Sequence, residues 1–532
     1  MVPATSTATA LAAKSAAEVA DAIREEALRP NGDPEGLPLP LAAHWNTGHY
    51  ARAPGMHPDF EISLIEQGAY VMPSFHHPPY FHEQKGVGAV DLRYYERAIG
   101  RAARLRLPLT FVGSQWESAL TLQDEFFRLP SEQNPNVISP NGQVLKKVSP
   151  FGPVEPWSEV GRRWTATTWM RMLQHWYPNP PLVMFLSNNE HAKLSWHEAD
   201  QSKRFLTQYG KLTDENRIRQ LFAQGWIERY RALQQGMRQG LVADAWKEHS
   251  IFVGYDAFGP AFFGRWSAWP RHALTTSGAV DPWPLAFDGG SPSFYVHSWN
   301  PSTDYTVWSP QLEANNWPFM LLEAWRLNPK FWWEISVWDG YDPKKADCMR
   351  KTYARLGQEY GPARYRGLVQ FGMWLLRPRV VREFRGWTYS AAEIMPYFQE
   401  ILDSVARVHE NPTLRAFWRK GRLVSNKTRK HPYQSNIPDQ YEKATRWFLL
   451  DTNLTPPRPW KLDTEIPVWA IALVLDAAPR RQWLIYAQSP LKDRQGVVVS
   501  VPGYGNATVN ATVGGAFYLV KEGSRTAERI AD

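Results

Sequence analysis

The sequence predicts a (β/α)8 barrel followed by a small antiparallel β-sandwich. Eight short apolar segments alternate with helical or loop segments over residues 39–410, which is typical of a parallel α/β sheet. From about residue 446 the pattern changes to alternating apolar and polar residues between Pro, Gly and Asn turns, which is typical of a sandwich. We therefore divide the 532 residues into an N-terminal extension and linker (1–38), a barrel (39–445) and a sandwich (446–532).

The predicted barrel strands are short, and polar side chains follow most of them. They are predicted at 40–46, 69–75, 107–113, 182–186, 250–255, 293–297, 331–337 and 365–373. Helices are predicted at 15–28, 91–105, 159–176, 198–248 with a break, 311–327, 345–359 and 393–409. The long segment 120–157 predicts a lid or a cleft wall. A doubly wound sheet is the alternative fold, but it requires a Gly-rich turn after an early strand, and the sequence has none there.

The composition and net charge limit the kinds of molecule that this protein is expected to bind. The net charge is +8, but there is no long Lys/Arg tract and no nucleic-acid motif, so an anionic polysaccharide is the favoured partner and an ordinary basic surface is the alternative. Cys348 is the single cysteine, which excludes an intramolecular disulfide. No apolar run reaches the roughly 20 residues that span a bilayer. No signal peptide is visible, and we expect a secreted or periplasmic protein whose signal has been removed.

The segment 181–190 places two polar residues directly after an apolar strand. The apolar run 182–186 is followed by a short polar stretch, and this stretch ends in Asn189 and Glu190. Residues just beyond the C-terminal ends of barrel strands form the active site. This arrangement resembles the strand-four signature of clan A, the large clan of retaining glycoside hydrolases. The resemblance implies that Glu190 is the acid/base and that Asn189 holds the sugar 2-hydroxyl; a loop carboxylate or helix cap is the alternative for Glu190.

Glu334 lies in predicted strand seven, where the resemblance to clan A implies the nucleophile. A retaining pair of carboxyl groups lies about 5–5.5 Å apart and an inverting pair about 6.5–9.5 Å apart. The alternative for Glu334 is a strand carboxylate paired with an arginine. Competing carboxylates are Asp256, Asp288, Glu313 and Asp339.

Other polar and aromatic residues near strand ends are predicted to bind sugar. Trp is abundant, with 26 residues, and indole faces suit pyranose rings; aromatic core packing is the alternative. The predicted substrate-binding residues are His44, Trp45, Asn46, His76, His77, Gln115, Trp116, Asn189, Tyr255, Asp256, His297, Trp299, Trp338, Gln370 and Arg377. Adjacent side chains on a strand point to opposite faces, so His76 and His77 do not favour a metal, and we expect no cofactor.

These observations leave three functional interpretations open. The first is a retaining glycoside hydrolase of a β-linked polysaccharide or oligosaccharide, with a sulfated galactan of the agar, porphyran or carrageenan type as candidate substrate. Arg377, Arg379 and Arg382 after predicted strand eight favour an anionic substrate, unless they pair with helix carboxylates. The second is a catalytically silent carbohydrate-binding barrel, and the third is a polysaccharide lyase. Neither a nucleic-acid partner nor a membrane span is expected, and the sequence leaves the oligomeric state open.

Overall fold

A computed structural model describes residues 14–29, 32–41, 70–76, 92–114, 116–188, 196–255, 283–291, 293–295, 317–338, 351, 354, 361–383, 391–426, 448–454, 468–476, 480–490 and 492–532. Eight parallel strands form a barrel: β1 Leu39–Leu41, β2 Ser74–His76, β3 Leu109–Ser114, β4 Val183–Asn188, β5 Ser250–Tyr255, β6 Gly289–Ser291 continued by Ser293–Tyr295, β7 Trp332–Trp338 and β8 Val380–Glu383. The longer helices are α1 Ala16–Ala27, α2 Leu92–Leu105, α3 Glu155–Thr165, α4 Thr168–Trp176, α5 Glu215–Gly240, α6 Trp317–Leu327, α7 Pro362–Leu376, α8 Ala391–Glu410 and α9 Pro412–Lys420. Short helices lie at Trp116–Ser118, Ala119–Leu122, Asp124–Phe127, Trp196–Ala199, Lys203–Tyr209, Asp244–Glu248 and Trp283–Ala286.

The strands close into a ring. Each strand pairs in parallel with its neighbour, β8 pairs with β1, and a parallel bridge between Leu41 and Met72 joins β1 to the residues before β2. Eight parallel strands closed into a ring, with helices packed outside them, define a (β/α)8 barrel, so the predicted fold is confirmed.

The two faces of the barrel wall differ in chemistry because successive strand side chains alternate. Four phenylalanines on neighbouring strands stack on the outer face with ring centroids 5.4–5.7 Å apart: Phe75, Phe111, Phe185 and Phe252. The rings of Tyr95 on α2 and Trp246 pack over this row. This packing explains why the strands read as apolar runs, because the helical layer buries their outer side chains.

The predicted eighth strand, 365–373, is wrong: this segment lies in α7, and the eighth strand is β8. From Gly367 to Leu376, helix α7 is buried on all sides, since Gly372 lies against Phe294 of β6 while Phe371 and Trp374 contact Trp469 and Phe517 in the C-terminal sheet. A helix that is buried all round has no polar stripe, so its sequence resembles a buried strand. This error shifts every residue assigned to the end of strand eight.

The C-terminal region is a β-sandwich, as predicted. Its strands are β9 Arg422–Leu423, β10 Asp451–Thr452, β11 Trp469–Leu475, β12 Gln482–Gln488, β13 Arg494–Val501, β14 Gly505–Ala511, β15 Ala516–Lys521 and β16 Glu528–Ile530. A five-stranded antiparallel sheet (β9-β11-β12-β15-β16) packs over a three-stranded one (β10-β13-β14). The opposite face of the five-stranded sheet packs on α7, so both of its faces are buried. Strand β9 joins this sheet from before residue 446, and the predicted domain limits stay predictions.

Helix α1 lies at the end of the barrel where the strands begin. Ser15 caps the helix through a capping box with Glu18. The buried carboxylate of Glu26 accepts hydrogen bonds from the Leu37 backbone amide at 3.1 Å and from Arg379 at 3.4 Å. The N-terminal helix and its linker therefore pack against the residues that enter β1 and β8. No helix in the described part of the chain is both long and apolar enough to span a membrane.

The connection from β3 to α3 forms part of the rim where the strands end. It contains a hairpin of Asn136–Ile138 and Val144–Val148. Arg204 donates to the carbonyl oxygens of Ser131, Asn134 and Asn136, and Arg229 donates to the carbonyl oxygen of Gly152 at 2.9 Å. These arginines tie the insertion to the helices that follow β4.

Candidate active site at the barrel mouth

The C-terminal ends of three neighbouring strands lie in one register row. Ser114 of β3 pairs with Asn188 of β4, and Asn188 pairs with Tyr255 of β5. His76 ends β2, as predicted. The remaining predicted mouth residues lie outside the described residues: His44, Trp45, Asn46, His77, Gln115, Asn189, Glu190, Asp256, His297 and Trp299.

Glu334 points into the barrel and is fully buried. Its Oε1 lies 2.5 Å from Nε of Arg382 on β8, and both side chains are completely inaccessible to solvent. Arg382 also donates to the hydroxyl of Ser291 on β6 at 3.2 Å. Burial raises the pKa of Glu334, while the charge of Arg382 and the hydrogen bonds from Ser291 and Arg382 act in the opposite direction. The contacts of Glu334 among the described residues thus include the ion pair with Arg382 and a hydrogen bond with Ser291.

The depth of Glu334 bears on its predicted role. It is the third residue of the seven in β7, four residues before the strand ends at Trp338. At about 3.3 Å per residue and the tilt of barrel strands, this places Glu334 about 10 Å below the mouth. The assignment of Glu334 as nucleophile stays a prediction, and the described geometry favours a position below the reacting bond.

Trp116 is wrong as a sugar platform. The side chain is 1% exposed and packs edge-on against Phe185 and Phe252 with centroid distances of 6.3 and 6.4 Å. Gly113 makes room for it, since a Cβ at Gly113 would lie 1.6 Å from the indole nitrogen of Trp116. Trp338 is likewise buried, with 2% exposed. Core packing, the alternative from the sequence, describes Trp116. Trp338 ends β7, and its role in sugar binding stays a prediction.

Gln370 and Arg377 are also wrong as mouth residues. Gln370 lies on α7 and is 3% exposed. Arg377 ends α7 before β8 begins and donates to the carbonyl oxygens of Trp418 at 3.0 Å and Gly421 at 2.6 Å. Residues that precede a strand lie at the end of the barrel opposite the active site. Burial lowers the pKa of Arg377 to about 10, which is consistent with a guanidinium enclosed by carbonyl groups.

The two further arginines do not form an anion site at the mouth either. Arg379 donates to the carbonyl oxygens of Leu37 at 2.6 Å and Glu26 at 2.7 Å, again where the strands begin. Arg382 lies inside the barrel with Glu334. The predicted arginine cluster depended on the wrong eighth strand: because α7 precedes β8, Arg377 and Arg379 lie where β8 begins, at the end of the barrel opposite the mouth.

A buried carboxyl group at the mouth rim was not predicted as functional. Glu117 follows β3 by three residues and is 5% exposed. Burial raises its pKa to about 7. The sequence shows only a polar residue after a strand, because its burial comes from α3 and α5, which lie much later in the chain. Among the described residues, no group of three or more His, Cys, Asp or Glu side chains could hold a metal ion.

Comparison with known proteins leaves the family open. No protein-family model matches the chain, and no curated protein sequence matches it significantly. Among solved structures, a modular endo-β-1,4-mannanase from Cellulomonas fimi, described with the glycoside hydrolase family 26 mannanases, aligns with a TM-score of 0.36. The identity is 10%, over 94% of this chain and 98% of that chain. A TM-score this low supports no functional argument; the fold itself defines a (β/α)8-barrel protein with a C-terminal β-sandwich.

Proposed function

We propose that the protein is a glycoside hydrolase that cleaves a polysaccharide or oligosaccharide at the mouth of its barrel. The observation that carries this proposal is the end of β4 at Asn188, level with the ends of β3 and β5. Asn189 and Glu190 are the next two residues of the chain, and the loops beyond these strand ends hold the active sites of barrel enzymes. The strand-four resemblance to clan A then supports Glu190 as acid/base.

In the proposed reaction, Glu190 protonates the glycosidic oxygen as the bond to the anomeric carbon breaks. A second carboxylate attacks the same carbon and forms a covalent glycosyl–enzyme. Glu190, now ionised, removes a proton from water, which attacks the anomeric carbon and releases the second carboxylate. The configuration is retained because the carbon is inverted twice.

Two carboxylates compete for the role of nucleophile. The pairing with Arg382 supports Glu334, because an adjacent guanidinium favours the ionised form that a nucleophile requires. Burial opposes this effect and leaves the pKa of Glu334 raised. The depth of Glu334 in β7 instead favours Asp339, which follows the last residue of that strand in the sequence. We retain Glu334 as the first candidate and make Asp339 its direct competitor.

The test is an activity screen over neutral, sulfated and uronate glycans, followed by Glu190→Gln, Glu334→Ala, Asp339→Ala and a control variant. Glu190→Gln should lower activity on natural glycan about 10²–10⁴-fold, the usual contribution of general acid–base catalysis. The alanine variant of the true nucleophile should regain activity with azide and give a glycosyl azide of inverted configuration. Glu155→Gln, an exposed carboxylate at the start of α3, is the control. Near-full activity of Glu190→Gln on natural glycan would remove Glu190 from the mechanism.

For the finer substrate class we propose a sulfated galactan. The net charge of +8 supports this proposal, whereas the arginines expected to bind sulfate make protein contacts elsewhere. Rates on one galactan should fall on desulfation and at high salt, because exposed charges are screened. Equal rates on both forms, independent of salt, would exclude an anionic substrate while leaving the hydrolase intact. Action on a polymer also favours a secreted or periplasmic enzyme.

A catalytically silent glycan-binding barrel is the second candidate. The pairing of Glu334 with Arg382 favours it, because that carboxylate is already engaged inside the protein. Binding of a glycan without any release of reducing ends, in wild type and in Glu190→Gln alike, would support this candidate. New absorbance from an unsaturated product in the same screen would instead identify a lyase.

A further inference from the structure

Glu117 is enclosed where the chain leaves β3 for the rim insertion. The hydroxyl of Tyr230 on α5 lies 3.4 Å from its Oε1, a long contact for two oxygens. Its Oε2 is buried and has no hydrogen-bond partner among the described residues. The adjacent carbonyl oxygen of Trp116 accepts from the indole of Trp164 on α3 at 3.0 Å, which fixes the backbone beside the carboxyl group.

The surroundings of Glu117 offer little to stabilise a negative charge. The Tyr230 ring packs among Trp157, Trp226 and Phe287. The helix Ala119–Leu122 that follows Glu117 has no titratable side chain.

The charged groups of the neighbouring helices have partners elsewhere. On α3, Glu159 pairs with Arg162 and Arg163, and Arg163 also with Glu125; Glu155 begins that helix at an exposed position. On α5, the neighbours of Tyr230 are directed away from Glu117: Arg229 pairs with Glu228, and Arg231 pairs with Asp288. No cation among the described residues thus balances an ionised Glu117.

We propose that Glu117 is a pH-sensitive latch: while protonated, it holds the start of the β3–α3 connection packed against α3 and α5, and its ionisation releases this rim segment. A neutral carboxyl is far less costly to bury than a charged one without a partner. The segment 116–127 borders the mouth and carries no β-strand pairing of its own, so it opens more readily than the barrel does. This proposal does not depend on whether the barrel hydrolyses glycans.

The pH range follows from linkage. Burial raises the pKa of Glu117 to about 7, while its own backbone and the Tyr230 hydroxyl act in the opposite direction. In an open, solvated segment the pKa returns to about 4.3. The closed form therefore binds the proton more tightly than the open form does. The free energy by which protonation stabilises the closed form is fully present below the open-state pKa, and it is lost as pH rises through the closed-state pKa. Between these values the opening equilibrium should rise about tenfold per pH unit and then level off above pH 7.

The experiment is hydrogen exchange of the full chain between pH 5 and 9, corrected for intrinsic exchange rates. In wild type, protection of residues 116–127 should fall about tenfold per unit up to pH 7. Glu117→Gln should make this protection independent of pH, and Glu155→Gln, an exposed carboxylate at the start of α3, should behave like wild type. Tyr230→Phe removes a hydrogen bond that favours the ionised form, so the level region should begin at a higher pH.

Each outcome is decisive. A pH dependence that persists in Glu117→Gln overturns the latch, because another group must then titrate. The latch is also overturned if, in Tyr230→Phe, the protection of residues 116–127 levels off at the same pH as in wild type or at a lower pH. If Glu117→Gln does not fold, the Tyr230→Phe shift and the wild-type slope still decide the matter.

Discussion

Breaking the pair between Glu334 and Arg382 should destabilise the barrel strongly, whereas removing both charges should not. Both side chains are fully buried, and the guanidinium reaches Ser291 as well. Removing one partner leaves a buried charge without compensation, which costs about 3–5 kcal/mol. We therefore expect this loss for Arg382→Met and a similar loss for Glu334→Leu. Their combination should cost less than either alone, because similar-sized apolar residues replace such a pair at little cost.

The assay is urea unfolding followed by tryptophan fluorescence and far-UV circular dichroism, on wild type, both single variants and the double variant. The double-mutant cycle should give a coupling free energy of at least about 3 kcal/mol. Arg366→Met, which breaks the more exposed pair with Glu400, is the control and should cost clearly less. A loss below about 1 kcal/mol for Arg382→Met, or additive single effects, would refute the inference that this pair is buried and coupled.

Two further predictions test the packing around the barrel. His409 on α8 is buried, and its Nε2 donates to the Pro38 carbonyl oxygen at 2.7 Å. Burial lowers the pKa of His409 to about 4. The free energy of unfolding should therefore fall by about 1.4 kcal/mol per pH unit as pH drops from 6.5 towards 4. His409→Gln should reduce this slope, and an unchanged slope in acid unfolding would contradict it. Gly161 on α3 and Gly236 on α5 allow these helices to touch, because a Cβ on either would lie 1.9 Å from a carbonyl oxygen of the other helix. Each change to Ala should cost about 1–3 kcal/mol in the free energy of unfolding, whereas Gly100→Ala, with open space around it, should cost nothing.

The barrel and the sandwich could both be predicted, because the sequence patterns that indicate them are local. Strand β4 was predicted at 182–186 and runs from Val183 to Asn188, since an apolar run between prolines and polar residues leaves few other options. The alternation and turn residues from about residue 446 likewise predicted an antiparallel sandwich, and strands β11, β12 and β15 lie in this region. Helix α1 could be predicted from its polar pattern and cap.

The candidate site could be predicted only in part. The strand that leads to Glu190 follows from the sequence, but the depth of Glu334 follows from where β7 begins and ends. Trp116 and Glu117 are read from the sequence as polar or aromatic residues after a strand. Whether such residues face substrate or helices depends on α3 and α5, which cover this part of the rim.

The sequence by itself determined seven of the eight barrel strands and the sandwich that follows the barrel, because period and turn chemistry depend on neighbouring residues in the chain. Only the tertiary structure decided which helix is buried on every side and which charges meet. Helix α7 lacks a polar stripe because the C-terminal sheet covers the face that would otherwise meet water. Glu26 and Arg379 meet across 353 positions, and Arg382 meets Glu334 only because β8 lies beside β7. Such contacts depend on the closure of the barrel, which no local pattern records.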